Sequence, residues 1–571
     1  MKRYLSTAIA TATLLAGAVA FPAMGGASQG AVLTEETNVG QIFTNNFNPA
    51  DSQSTGTQMS LNALSFEPLL MWNALKPHQW TPWLATSEVF NATGQSVTFT
   101  MNPKAVWSNG KPVTSSDVAN EFNALSNNAS LDVFGLPPLA QPATTSGNKV
   151  TLTYATPQFS NEEALSSVLI FPVAGDSGIP QSAIVVNGTT SLSNSRVIGN
   201  GPYLPTSYSG QLIKYTLSPH WNLTPKPQVT GVNIPYFASN QAATEALIAH
   251  QLDWAGNDIP QITATYIRND PAHNHYYYPA GSTVTLWFNV SPSAPDGRTD
   301  CLGDPAFRRV VSSAINRQQL STLGETGFEA PASSTSGLSP LQFSLLGNFA
   351  NNITKSGSTA SQVAAAMTAA GYTLNSSHWY QVTSPKAQAA TGLPAGTVCQ
   401  FTIQDPVAYS DYAEDMLLIS QELRAVHIKV SSLGVATGQW NANIATRNFD
   451  AIIRWGAGGD NPYAQYENWL DDPANTGGST NFGSYINPAA QNDLVSLAAA
   501  RPGTAAFQTT VNKLATIMTT DVPVAPILYG ADWDVYSTLH FTGWVTAQNQ
   551  YAYPGPASNS IAYVVTKLKK A

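Results

Sequence analysis

A strand–helix–strand pattern between residues 401 and 433 constrains this chain more than any other feature. Residues 401–405 are apolar and β-favouring, 409–426 read as a helix, and 428–433 form a second β-favouring run. A crossover of that length joins parallel strands, so the segment predicts a βαβ unit and an α/β fold. Further strands are expected at 31–37, 96–101, 150–154, 212–217, 283–290 and 523–530. Helices are expected at 241–250, 304–320, 361–370, 489–500 and 504–520, with Thr114 as the N-cap of another. In the helix at 304–320, Phe307, Val310, Val311, Ala314 and Ile315 repeat at helical spacing, which puts Arg308, Arg309 and Arg317 on its polar side. The loops are too long for one tight sheet. At 571 residues the chain also exceeds a single core, and two lobes with crossing segments fit it better than a string of domains.

One strand stands out for function. Residues 449–455 form a short apolar run that stops at Gly456, Gly458, Gly459 and Asn461-Pro462. Ligands of open α/β folds sit at the carboxyl ends of strands, so Trp455 and the polar residues after it are placed to face a cleft.

Only 10% of residues are charged, against about a quarter in an ordinary domain. A surface built from Ser, Thr, Asn and Gln suits a secreted protein, including one bathed in acid, where fewer carboxylates have to be protonated on folding. The net charge of −9 and the lack of a basic stripe exclude nucleic acid as a partner. Lys2 and Arg3 precede an apolar run at 4–20 that ends in small residues, which reads as a secretory signal peptide. No Cys lies in or just after it to carry a lipid. The two cysteines, Cys301 and Cys399, either pair in an oxidising compartment or stay separate as buried thiols.

Several motifs recur in an order that resembles the family 5 bacterial extracellular solute-binding proteins, the oligopeptide-, dipeptide-, nickel- and cello-oligosaccharide-binding group. They are Phe66-Glu67-Pro68-Leu69-Leu70, Trp107-Ser108-Asn109-Gly110-Lys111-Pro112 with Thr114 and Asp117-Val118, Gly199-Asn200-Gly201-Pro202-Tyr203, Leu252-Asp253-Trp254, Phe288-Asn289, and Phe307-Arg308-Arg309-Val310. The resemblance spans roughly residues 35–555 and implies a two-lobed periplasmic-binding-protein fold of the large three-domain type with a central cleft. It implies these segments: signal peptide and linker 1–30, lobe I at 31–61, 197–280 and 521–571, an extra domain at 62–196, and lobe II at 281–520. Cys301 and Cys399 then share lobe II, which favours their pairing. The implied function is capture of oligopeptides or dipeptides between closing lobes, and delivery to a membrane ABC permease by an exported monomer.

The resemblance also marks a departure. In the family's peptide binders the residue matching Trp455 begins a Trp-x-x-Asp-Tyr segment whose Asp pairs with the ligand's α-amino group. Here Gly458 and Gly459 stand at those positions. A buried ammonium without a carboxylate is costly, so that anchor does not carry over. Asp460 either substitutes for it or caps the turn before Asn461-Pro462. Without an amino anchor, the alternative ligand is a neutral oligosaccharide held by Trp and Tyr faces with Asn48, Asn461, Tyr463 and Trp469. Phe47 and Asn48 fall in the family's first-lobe cleft loop. Trp254 either contacts ligand or packs in the core, and Arg454 either pairs with an acidic neighbour or holds a ligand carboxylate. No nucleophile elbow, H-E-x-x-H or P-loop pattern is present, so no catalytic residue, metal or cofactor is assigned. His273 and His275 read as surface residues.

Overall fold

Parallel pairing of Gln400–Pro406 with Lys429–Val435 through the helix Ser410–Ala425 realises the expected βαβ unit. The computed structural model describes residues 31–571 apart from 77, 177–178, 186–192, 195, 225, 292–300, 354–355, 460 and 476–479. The expected signal peptide and Asp460 therefore lie outside the described residues.

The βαβ unit belongs to a six-stranded sheet in the order Ala330–Pro331, Val524–Ala531, Ala280–Phe288, Ala451–Trp455, Gln400–Pro406, Lys429–Val435. Ala451–Trp455 runs parallel to Gln400–Pro406 and antiparallel to Ala280–Phe288. Both of its faces are covered, which is why Ala451, Ile452 and Ile453 are all buried and the strand shows no alternation. Val524–Ala531 pairs along Ala280–Phe288, so it belongs to this sheet although it lies beyond the boundary drawn at 520. Cys301 and Cys399 form a disulfide inside this lobe, with Cα atoms 5.1 Å apart.

The helix expected over 304–320 breaks early. Pro305–Ala314 is helical, with Asp304 as its N-cap, but Ile315 is extended. Arg308 and Arg317 do not face solvent. The Arg308 guanidinium donates to the carbonyls of Leu302 (2.6 Å) and Val522 (2.8 Å), beyond the end of the helix Ala505–Asp521. Arg317 donates to the carbonyls of Pro526 (2.7 Å) and Ser312 (2.9 Å). Backbone carbonyls left over at helix ends, in a loop and at an irregularity of the strand Val524–Ala531 are what buried guanidinium groups satisfy here.

A second, seven-stranded sheet runs Tyr203–Ser209, Leu212–Leu217, Gly231–Pro235, Val32–Glu36, Trp254–Ala255, Val535–Ser537, Asn274–Tyr276. It forms the other lobe. Beside it, a four-stranded sheet of Ala85–Phe90, Ser96–Met101, Lys149–Tyr154 and Leu139–Ser146 packs against the helix Ser115–Asn127. Thr114 and Asp117 form a capping box on that helix, and Asp117 also accepts from the buried Trp107 indole at 3.2 Å. The Trp107 motif is therefore a structural knot.

Candidate functional site

The cleft between the lobes collects the carboxyl ends of parallel strands. Val32–Glu36, parallel to Trp254–Ala255, leads into Thr37-Asn38, and Trp254–Ala255 into Asn257-Asp258. From the other lobe, Gln400–Pro406 leads to Tyr409, Asp411 and Tyr412, and Ala451–Trp455 ends in Arg454 and Trp455. These residues line a cavity of about 440 Å³. A second cavity of about 460 Å³ lies along Gly458, Asn461 and Tyr463, and the two share Ser282, Trp455, Tyr553 and Ala557. Trp455 thus stands between two halves of one cleft.

The lobes touch across it. Tyr409 Oη donates to Asn38 Oδ1 at 2.6 Å, Asn441 Nδ2 to Gln41 Oε1 at 3.1 Å, and Thr437 Oγ1 to the Val39 carbonyl at 3.3 Å.

Trp455 is 41% exposed at the end of an otherwise buried strand. Its ring lies 6.5 Å from Tyr412 and 6.1 Å from Trp440, at interplanar angles of 30° and 36°. That makes an aromatic surface suited to a sugar face, an apolar side chain or a cation. Glycine is required just after it: a Cβ on Gly456 would lie 2.6 Å from the Trp469 ring, and Gly459 has φ +91°.

Arg454 is enclosed by aromatic rings, its Cζ 4.5 Å from the Phe482 centroid, 5.9 Å from Trp287 and 6.0 Å from Trp440. Burial brings its pKa down to about 10. Among the described residues no carboxylate forms an ion pair with it, and its Nε has no hydrogen-bond partner.

The acids of the cleft lie deeper. Asp258 is 1% exposed, and burial together with the charge of Asp411 pushes its carboxyl up to about 8. Asp411, 4% exposed, is raised by burial to about 6, the rise being tempered by backbone N–H groups in the first turn of Ser410–Ala425. Both oxygens of Asp258 and Oδ1 of Asp411 lack partners. Behind Asp411, burial holds Glu325, Glu329, Asp405 and Asp415 well above the usual carboxylate range.

Of the residues singled out in the sequence, Trp455, Arg454, Gly458, Asn461 and Tyr463 line the cleft. Asn461 also has structural work: its Oδ1 accepts from the Tyr463 amide at 2.9 Å as the N-cap of Pro462–Leu470, and its Nδ2 donates to the Ser160 carbonyl. Tyr463 Oη donates to Glu467 at 3.0 Å.

Four placements are corrected. Trp254 is buried in the core, donating to Asp534 at 2.7 Å and packing on Trp544, because its strand is interior to the seven-stranded sheet. Phe47 packs edge-on against Tyr215 at 6.3 Å. Asn48 is buried, with Oδ1 accepting from the Ala50 amide at 3.0 Å, so it builds its own turn. Trp469 is likewise core. The residues missed were Asn38, Asn257, Asp258, Asp411 and Trp440. Applying the strand-end rule to every parallel strand, and not to 449–455 alone, points at Asn38 and Asp258.

Among the described residues no three His, Cys, Asp or Glu side chains are arranged to hold a metal ion. His273 Nδ1 bonds to Asp270 at 2.8 Å and His275 lies against the ring of Tyr536.

The family model described as "Bacterial extracellular solute-binding proteins, family 5 Middle" matches residues 79–477. Comparison with curated protein sequences finds no match. Among solved structures, the chain is similar to a Thermotoga maritima periplasmic oligopeptide-binding protein of an ABC transporter, solved with bound mannohexaose. The TM-score is 0.79 at 18% identity, covering 95% of this chain and 99% of that one. The Escherichia coli murein tripeptide binding protein MppA gives a TM-score of 0.73 at 16% identity, covering 94% and 98%. The Bacillus subtilis oligopeptide-binding protein AppA, in complex with a nonapeptide, gives 0.72 at 14% identity, covering 95% and 98%.

Proposed function

The chain belongs to the bacterial extracellular solute-binding proteins, family 5, and we propose that it captures oligopeptides or dipeptides between its lobes and delivers them to a membrane ABC permease. We read it as an exported, non-catalytic monomer. One observation carries the peptide reading: a single cavity presents the Arg454 guanidinium and the carboxylates of Asp258 and Asp411, all with unpartnered polar atoms. A peptide brings an ammonium, a carboxylate and apolar side chains to such a cavity. A neutral ligand gives the Arg454 guanidinium no anion and the two acids no cation to ionise against. Closure of the lobes is then the signal the permease reads.

A specific observation also favours an oligosaccharide. Trp455, Trp440 and Tyr412 offer an aromatic platform, and Gly458 stands where the family's peptide binders place a carboxylate. Thermal denaturation of the protein with peptides, and separately with cello-, xylo- and malto-oligosaccharides, separates the two. A ligand of the closed form raises Tm. Peptides are expected to do so, and a rise with sugars alone refutes the peptide reading.

A further inference from the structure

We propose that the amino anchor missing at Gly458 has moved across the cleft: an ammonium group of the ligand is held between Asp258 and Asp411, one carboxylate from each lobe, with Asn257 Oδ1 as the third acceptor. The inference rests on the peptide reading above and names its specificity-determining contact.

Asn257 supplies the observation independent of the acids. It is 3% exposed, and its Nδ2 faces three acceptors: the Asp258 carbonyl at 3.0 Å, Thr244 Oγ1 at 3.3 Å and the Asn240 carbonyl at 3.4 Å. That fixes the amide orientation and leaves Oδ1 as a buried acceptor with no donor, on a residue that lines the cavity. Asp258 adds two unpartnered oxygens and Asp411 one. When Asp258 and Asp411 ionise against a cation, every free valence here is an acceptor, so the complement of the ionised site is a group that only donates. A primary ammonium carries three N–H donors and a positive charge.

The surroundings suit that charge. Tyr412 and Trp455 lie against each other beside Asp411 and can face a cation. The acids behind the site, Glu325, Glu329, Asp405 and Asp415, are negative or neutral, and the facing phenols are Tyr278, Tyr409 and Tyr412. Arg454, the cation of the same cavity, stacks on Phe482, its Cζ 4.5 Å from the ring centroid. Because Asp258 follows a strand of one lobe and Asp411 opens a helix of the other, the ammonium gains both partners only when the lobes are together.

The test uses the full chain and one mixture of random tetrapeptides, with free amino termini or N-acetylated. The Tm rise is followed against concentration. Wild type is expected to need at least ~30-fold more of the acetylated mixture for the same rise, the scale of losing one partner of a buried charge pair. Asp258→Asn and Asp411→Asn, near-isosteric changes in different lobes, should each need ~30-fold more of the free mixture and treat the acetylated one as wild type does. Equal response of wild type to both mixtures overturns the anchor but leaves peptide capture standing. So does full discrimination in either folded variant. A Tm rise with malto-, xylo- or cello-oligosaccharides and neither mixture removes the peptide reading and the anchor together.

Discussion

Buried charge is handled in opposite ways inside the lobe of the six-stranded sheet and at the cleft. Within the lobe, Arg308 and Arg317 are fully enclosed, yet their guanidinium groups are bonded to backbone carbonyls of the segments they clamp. At the cleft, Asp258, Asp411 and the acids behind them are just as enclosed and have oxygens with no partner. A satisfied buried charge is a structural clamp. An unsatisfied one takes either a proton or a ligand. Since neutral carboxyls cost less to bury, the free protein keeps these acids protonated well above the usual range, as burial first and their mutual repulsion second dictate.

The sharpest break of that comparison is to remove a clamp. Arg317→Met should cost ~3–5 kcal/mol in urea unfolding, because carbonyls such as that of Pro526 lose their donor, whereas Asp258→Asn should cost nothing at pH 8. Next in size is the disulfide on the clamped side: Cys301→Ser with Cys399→Ser should lose ~2–5 kcal/mol, measured in the same way.

Acidity reads the other side. Asp258 and Glu36 have folded pKa values raised to about 8, and Asp411 to about 6, above those of the unfolded chain. A raised pKa contributes stability that is fully present below the unfolded value near 4 and is lost as pH rises through the folded one. Calorimetric Tm should therefore fall by several degrees from pH 5 to pH 8, and Asp258→Asn should flatten that slope. The last effect on stability is a small one at Trp455. Being 41% exposed, it can become Ala for under ~1 kcal/mol of unfolding free energy, while ligand capture weakens ~10-fold or more.

Local signals carried the fold a long way. The strand at 96–101, the Thr114 cap, the crossover at 400–435 and the left-handed Gly371 that ends Ala360–Ala370 are all visible in short windows. What failed was decided by distant residues. Periodicity continues through Ile315, but Arg317 is pulled inward by a carbonyl more than 200 positions away, at Pro526. Phe47 and Asn48 fall in the cleft loop by the family resemblance, and only the packing of Phe47 on Tyr215 and the burial of Asn48 show them to be inside. The site was half legible. Trp455 follows from its strand end, but Asp258 and Asp411 are ordinary acids in sequence, and become unusual only when two lobes bury them together. The low charged fraction suggested life in acid because carboxylates are few. The fold adds a separate reason, since many of those that remain are buried.

The most direct test is native mass spectrometry of the protein after incubation with an equal mixture of tetrapeptides and malto-oligosaccharides. The account predicts a complex carrying a tetrapeptide with a free amino terminus. A complex carrying only a hexose ladder would contradict it.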